Sequence, residues 1–185
     1  MTNNYNWQSR EIVRSWFNRA IHPPSESYNI FDRFISLWVS FNCYFVAEHY
    51  TELSHRYRNE PSERNYIDFI ASAKTYSDIY MNLIINQDFL VDVNKILYLL
   101  ETITHYKGKV ANMQPGKADK EQYAKEFTDK NNFSQFMNVV YQVRCNLFHG
   151  NKSPHNDADV QLVEVFYKAF SKFCEEIYQQ EGYLS

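Results

Sequence analysis

Phe31-Asp32-Arg33-Phe34-Ile35-Ser36-Leu37-Trp38-Val39-Ser40-Phe41-Asn42-Cys43-Tyr44-Phe45 decides the fold class. Phe31, Phe34, Trp38, Phe41 and Phe45 recur at alternating spacings of four and three, which lays one apolar stripe along a helix. The spacing predicts a helix running from about residue 25 towards residue 59. Working outward, Val160, Val163, Tyr167, Phe170, Cys174 and Ile177 repeat the pattern on a last helix, with Asn156 placed to cap its start. Phe136, Val140, Val143 and Leu147 make a third stripe. Ile12, Trp16 and Ala20 predict a short first helix, and 66–85 and 91–103 read as two more. No alternating strand pattern competes over a comparable length. The expected fold is all-α: one helical bundle spanning 1–185, with five to six main helices and a long loop near 106–128.

The four glycines and five prolines fall between these segments or near the C-terminus, as breakers do between long helices. The loop at 106–128 carries Lys107, Lys109, Lys117, Lys120 and Lys125, partly balanced by Asp119, Glu121 and Glu126. It reads first as a solvated loop, and second as a lysine-bearing flap for a polyanion.

Aromatic residues make up 17% of the chain and sit mostly on the apolar stripes, so they read as core. A net charge of −3 argues against a broad, non-specific nucleic-acid surface, though not against a small basic pocket. The mean hydropathy of −0.56 fits a globular chain. The longest apolar stretch, 34–47, is interrupted by Ser36, Ser40 and Asn42 and is too short to span a bilayer. No secretory signal is visible at the start, and three widely spaced cysteines suggest a reducing compartment. The expectation is a cytoplasmic protein with no membrane partner.

Chemistry concentrates at Val143-Arg144-Cys145-Asn146-Leu147-Phe148-His149-Gly150. Arg144 lies on or beside an apolar helix face, where its charge requires an acceptor: a structural carboxylate or a phosphate. His149 stands just before a helix-stopping glycine. There it either caps the helix or moves protons near neutral pH. On an ideal helix, residues five apart point roughly 140° away from each other. The two side chains can therefore act together only at a distorted helix end, against another helix, or across a second subunit. A Cys145–His149 thiol pair shares a helix face but ranks lower, because a helix C-terminus disfavours a thiolate. His49, Glu52 and His55 lack the spacing of a metal motif, and no nucleotide-binding loop signature occurs. No metal or cofactor is expected. Without a metal-activated water, a histidine and an arginine could cleave RNA through its own 2′-hydroxyl.

The run from Arg144 to His149 resembles the hallmark of the HEPN superfamily: an arginine, a short spacer and a histidine at the end of a helix in an all-α bundle. Its Apea-like branch is the most similar, and Leu37-Trp38-Val39-Ser40-Phe41-Asn42 adds a softer match. The resemblance implies a homodimer with two motifs across one cleft, and a metal-independent endoribonuclease. It further implies service as a toxin held by an antitoxin or another regulatory protein, or in defence against phage. Carried over residue by residue, Arg144 holds the scissile phosphate and His149 handles protons. Asn146 is the candidate for the third polar role, because Cys145 occupies the position where the family often has a polar residue. Lys152 and Asn42 are candidate substrate-binding residues. The alternative is a non-catalytic helical module that binds a nucleotide or a protein partner.

Overall fold

The computed structural model describes the backbone of residues 3–113, 120–149 and 153–184, with side chains from residue 8 onward. Seven α-helices carry the described fold: α1 Asn3–Ile21, α2 Ile30–Tyr57, α3 Glu63–Ser72, α4 Lys74–Ile85, α5 Gln87–Thr102, α6 Phe133–Phe148 and α7 Asp157–Gln180. The chain is thus an all-α bundle. No helix among the described residues is long and apolar enough to cross a membrane.

Helix α2 is the axis of the bundle. Asn29 starts it with a capping box: its side chain accepts from the Phe31 and Asp32 amides, and Asp32 accepts from the Asn29 amide. Phe34, Leu37, Phe41 and Phe45 are fully buried, and Trp38 and Tyr44 nearly so. Helix α1 runs antiparallel to α2. Arg33 Nε donates to the Ala20 carbonyl at 2.9 Å near one end of the pair, and Ser40 Oγ donates to the Val13 carbonyl at 2.8 Å further along. Arg33 also reaches the Ile21 carbonyl at 3.3 Å, while Tyr167 Oη donates to Ala20 at 2.8 Å. Arg33 and Tyr167 thus satisfy Ala20 and Ile21 carbonyls that the end of α1 leaves without intrahelical partners. Helix α7 packs against α2 and α5, and α6 lies against α3. Asn156 caps α7 through the Ala158 and Asp159 amides, as its position in the sequence suggests.

Three expectations need correction. The first helix is not short: α1 spans 19 residues. The segment 66–85 is two helices, broken at Ala73, whose ψ of 126° is extended. No proline or glycine marks the break. Tertiary packing accounts for it, because α3 packs on α2 and α6 while α4 turns towards α5, α6 and α7. Ser72 Oγ supports the stop by donating to the Asp68 and Phe69 carbonyls at 2.8 and 2.9 Å.

The third correction concerns 106–128, which is tethered to the bundle in its described parts. Lys109–Val110 and Lys125–Glu126 form a two-residue antiparallel pair, β1 and β2, with Val110 opposite Lys125. Val110 and Phe127 enter the core. Lys109, one of the loop lysines, pairs with Glu121 at 2.6 Å. Gly108 turns the chain at a φ of 70°, and a Cβ there would stand 3.0 Å from the Thr128 methyl. Lys117 and Asp119 lie outside the described residues.

His49 carries a pH prediction. It is half-buried on α2, its Nε2 hydrogen-bonded to the Tyr76 hydroxyl, which in turn meets the Tyr44 hydroxyl at 2.9 Å. Burial holds its pKa below the usual histidine value, with partial opposition from the Glu48 and Glu52 charges. Between the depressed folded pKa and the unfolded one, the unfolded chain binds more protons, so stability rises with pH in that window. The contribution is complete above about pH 6.5 and is lost as pH falls from there towards the folded pKa. Urea midpoints at pH 7.5 and 5.5 should fall further apart in the wild type than in His49→Gln. Equal falls would assign the pH dependence to other groups.

Candidate functional site

Arg144 lies one turn before the end of α6, at the point where that helix meets the start of α3. Glu63 is the first residue of α3, directly after the N-cap Ser62, where the helix dipole favours a carboxylate. Its Oε1 accepts two hydrogen bonds: from Arg144 Nη2 at 2.8 Å and from the indole Nε1 of Trp38 at 2.9 Å. Three helices therefore converge on one oxygen. The Arg144 and Glu63 side chains are each only 20% exposed, so water screens the pair less than it would at the open surface.

Aromatic rings complete the surroundings. The Arg144 guanidinium carbon is 4.2 Å from the Phe148 ring centre, 5.8 Å from Trp38 and 6.0 Å from Tyr141. These cation–π contacts attract a guanidinium already partly stripped of water. Its Nε is buried without an acceptor among the described residues. Nη1 reaches only the Cys145 sulfur, at 4.0 Å. The ion pair with Glu63 thus leaves the buried Nε without a partner among the described residues.

His149 is the C-cap of α6, with φ −87° and ψ 7°, and its amide donates to the Cys145 carbonyl at 3.1 Å. Its side chain is exposed. No hydrogen bond joins it to Arg144 among the described residues. The arginine is drawn inwards by Glu63, while the histidine faces solvent at the same end of the helix.

The other sequence candidates divide. Asn146 is 1% exposed and fully engaged elsewhere. Its Oδ1 accepts from the Met113 amide at 3.1 Å and from Gln142 Nε2 at 3.0 Å, and its Nδ2 donates to the Ala111 carbonyl at 2.9 Å. It clamps the 111–113 segment to α6, and none of these hydrogen bonds involves Arg144. Asn146→Ala should remove the acceptor of the Met113 amide and the donor to the Ala111 carbonyl, costing about 1–3 kcal/mol. Thermal melting would check this; an unchanged midpoint would mean that water replaces the carboxamide. Asn42 is half-buried on α2, one turn beyond Trp38, and hydrogen-bonds to neither Arg144 nor Glu63. Lys152 lies outside the described residues. Cys145 is 3% exposed, which leaves a Cys145–His149 nucleophile no access to a substrate.

Glu63 escaped the sequence reading. An acidic residue in the first turn after a serine cap is an ordinary helix-start pattern and says nothing of a distant arginine. Trp38 was legible as part of the core stripe, but its indole hydrogen bond was not. No group of three or more metal-ligating side chains occurs among the described residues. A partly enclosed cavity of about 170 Å³ is lined by Thr104, Met113, Asn146, Asp159 and Leu162, and neither Arg144 nor Glu63 borders it.

Fold and site together define a class: an all-α bundle with an ion-paired, partly desolvated arginine close in sequence to an exposed histidine at the end of one helix. No family model, curated protein or solved structure matches the chain.

Proposed function

We propose that this protein is a metal-independent endoribonuclease of HEPN type, acting as a homodimer, with Arg144 and His149 in its active site. The observation that carries this reading is the Arg144 guanidinium. It is oriented by Glu63 at 2.8 Å and by Phe148 at 4.2 Å, stays 20% exposed, and stands little more than one turn from His149.

Cleavage needs no protein nucleophile. The 2′-oxygen attacks the adjacent phosphorus, the P–O2′ bond forms and the P–O5′ bond breaks, leaving a 2′,3′-cyclic phosphate and a 5′-hydroxyl. One proton must leave O2′ and one must reach O5′. A single histidine cannot be base and acid in the same step, so a pair of His149 side chains from two copies fits the proton balance. Arg144 stabilises the charge that grows on the phosphoryl oxygens. A toxin or phage-defence role would supply the need for such an activity, with a regulatory protein to restrain it.

Purified protein should cleave single-stranded RNA in EDTA and leave cyclic phosphate ends, read by end-labelling. RNA that stays intact under dimeric conditions would count against the proposal. The occupied Arg144–Glu63 pair favours a second reading, since a carboxylate competes with phosphate for the same fork. In that case the bundle binds a nucleotide or a protein partner without turnover. Nucleotide binding that is lost in Arg144→Ala, with no RNA cleavage in the wild type, would select it.

A further inference from the structure

Phe148 does not belong to the core. It is 50% exposed at the last residue of α6, whereas neighbouring Leu147 packs against the core cluster. One guanidinium already lies 4.2 Å from its ring centre. Tyr141, Arg144 and Phe148 stand three and four residues apart, so they share one face of α6 over about 10 Å of helix. Arg64 of α3 extends the row, its guanidinium carbon 5.5 Å from the Tyr141 ring centre. Arg64 is held in place by Asn138 Oδ1 at 2.8 Å and by Asp68 at 2.6 Å. The row alternates arginine and aromatic ring: Arg64, Tyr141, Arg144, Phe148. It ends beside His149.

We infer that this row is the binding path for an unpaired RNA strand, with one base stacked on the Phe148 ring and the phosphate backbone running past Arg144 and Arg64. The inference deepens the ribonuclease reading and rests on it. Every base offers a π-face to such a ring, but only an unpaired base is free to use it, because duplex bases are stacked on one another. The path therefore selects single-stranded over duplex RNA. Charge contributes little net attraction: Arg64 and Arg144 are balanced by Asp68 and Glu63. Stacking must then carry much of the affinity, and the salt dependence must be shallow. Two arginine–phosphate contacts on a single strand give a log–log slope of about −1.4.

The test uses a 2′-O-methylated RNA dodecamer, which lacks the nucleophile and cannot be cleaved, and the duplex that it forms with its complement. In a Phe148→Trp variant, the single strand should quench the added indole fluorescence beyond the change seen in the wild type, and the duplex should not. Phe148→Ala should raise Kd for the single strand about tenfold. Arg64→Ala should lower the salt slope by about 0.7. Quenching by the duplex alone, or a Kd unchanged in Phe148→Ala, would overturn the path. So would a loss of dimer in Phe148→Ala by sedimentation, which would make the ring a subunit contact. Because this RNA cannot react, failure of the catalytic reading leaves the titration intact. Loss of quenching with natural RNA still cleaved removes only the path.

Discussion

His149→Ala is expected to lower the rate of RNA cleavage by about 10²–10⁴-fold, the usual worth of a positioned general acid or base. Stability should barely change. The side chain is exposed, and the hydrogen bond that closes α6 comes from the His149 backbone amide, which alanine keeps. Arg144→Ala should abolish cleavage as well, but with a stability cost. It removes a partner from Glu63 and leaves a carboxylate with only the Trp38 indole, a loss of about 1–3 kcal/mol. Arg144→Lys separates charge from geometry. A lysine keeps the positive charge but has no planar fork, so it cannot hold Glu63 and a phosphoryl oxygen with fixed donors at once. Its activity should stay close to that of the alanine variant. Cleavage by both alanine variants at wild-type rate would sink the proposed site, and rescue by lysine would reduce Arg144 to a simple charge.

Trp38→Ala should produce the largest loss of stability among these substitutions. The indole is 1% exposed and packs against Phe41 and Phe170, each with ring centres 5.8 Å away, and against Tyr141 at 5.9 Å. Truncating a buried tryptophan costs about 3–5 kcal/mol. For a chain of this length that lowers Tm by roughly 6–20 °C. Trp38→Phe is the informative partner variant. Phenylalanine fills much of the same volume but has no N–H, so Glu63 loses one of its two donors while the core survives. Stability should fall by about 1.5–3 kcal/mol for the missing hydrogen bond to a charged acceptor, with a smaller cavity cost than in Trp38→Ala. Cleavage should suffer more than that figure suggests, since the carboxylate that orients Arg144 is freed. Activity unchanged in Trp38→Phe would mean that Glu63 holds the arginine unaided.

Much of the bundle was legible in the chain. The stripe from Phe31 to Phe45 has the helical period, and the same residues form the buried face of α2. Asn156 reads as an N-cap because its side chain can accept from amides two and three residues on, and it does so in the structure. Such features depend on residues a few positions apart, and local spacing carries them. The break at Ala73 was not legible, because an alanine has no intrinsic reason to stop a helix. Only the different neighbours of α3 and α4 require it. The described parts of 106–128 were not legible for a related reason: the lysines and glycines of the segment look solvated, while Val110, Phe127 and the clamp from Asn146 tie those parts down.

The site divides along the same line. The sequence by itself determined that an arginine and a histidine stand five residues apart at the end of an apolar helix, and that one regular face cannot hold both. Only the tertiary structure decided that Arg144 turns inwards to Glu63, 81 positions earlier in the chain, while His149 stays in solvent and Asn146 serves the loop. The physical reason is desolvation. A guanidinium half-removed from water must find a carboxylate or a phosphate, and which one it finds depends on where the bundle brings the start of α3, not on the residues beside the arginine.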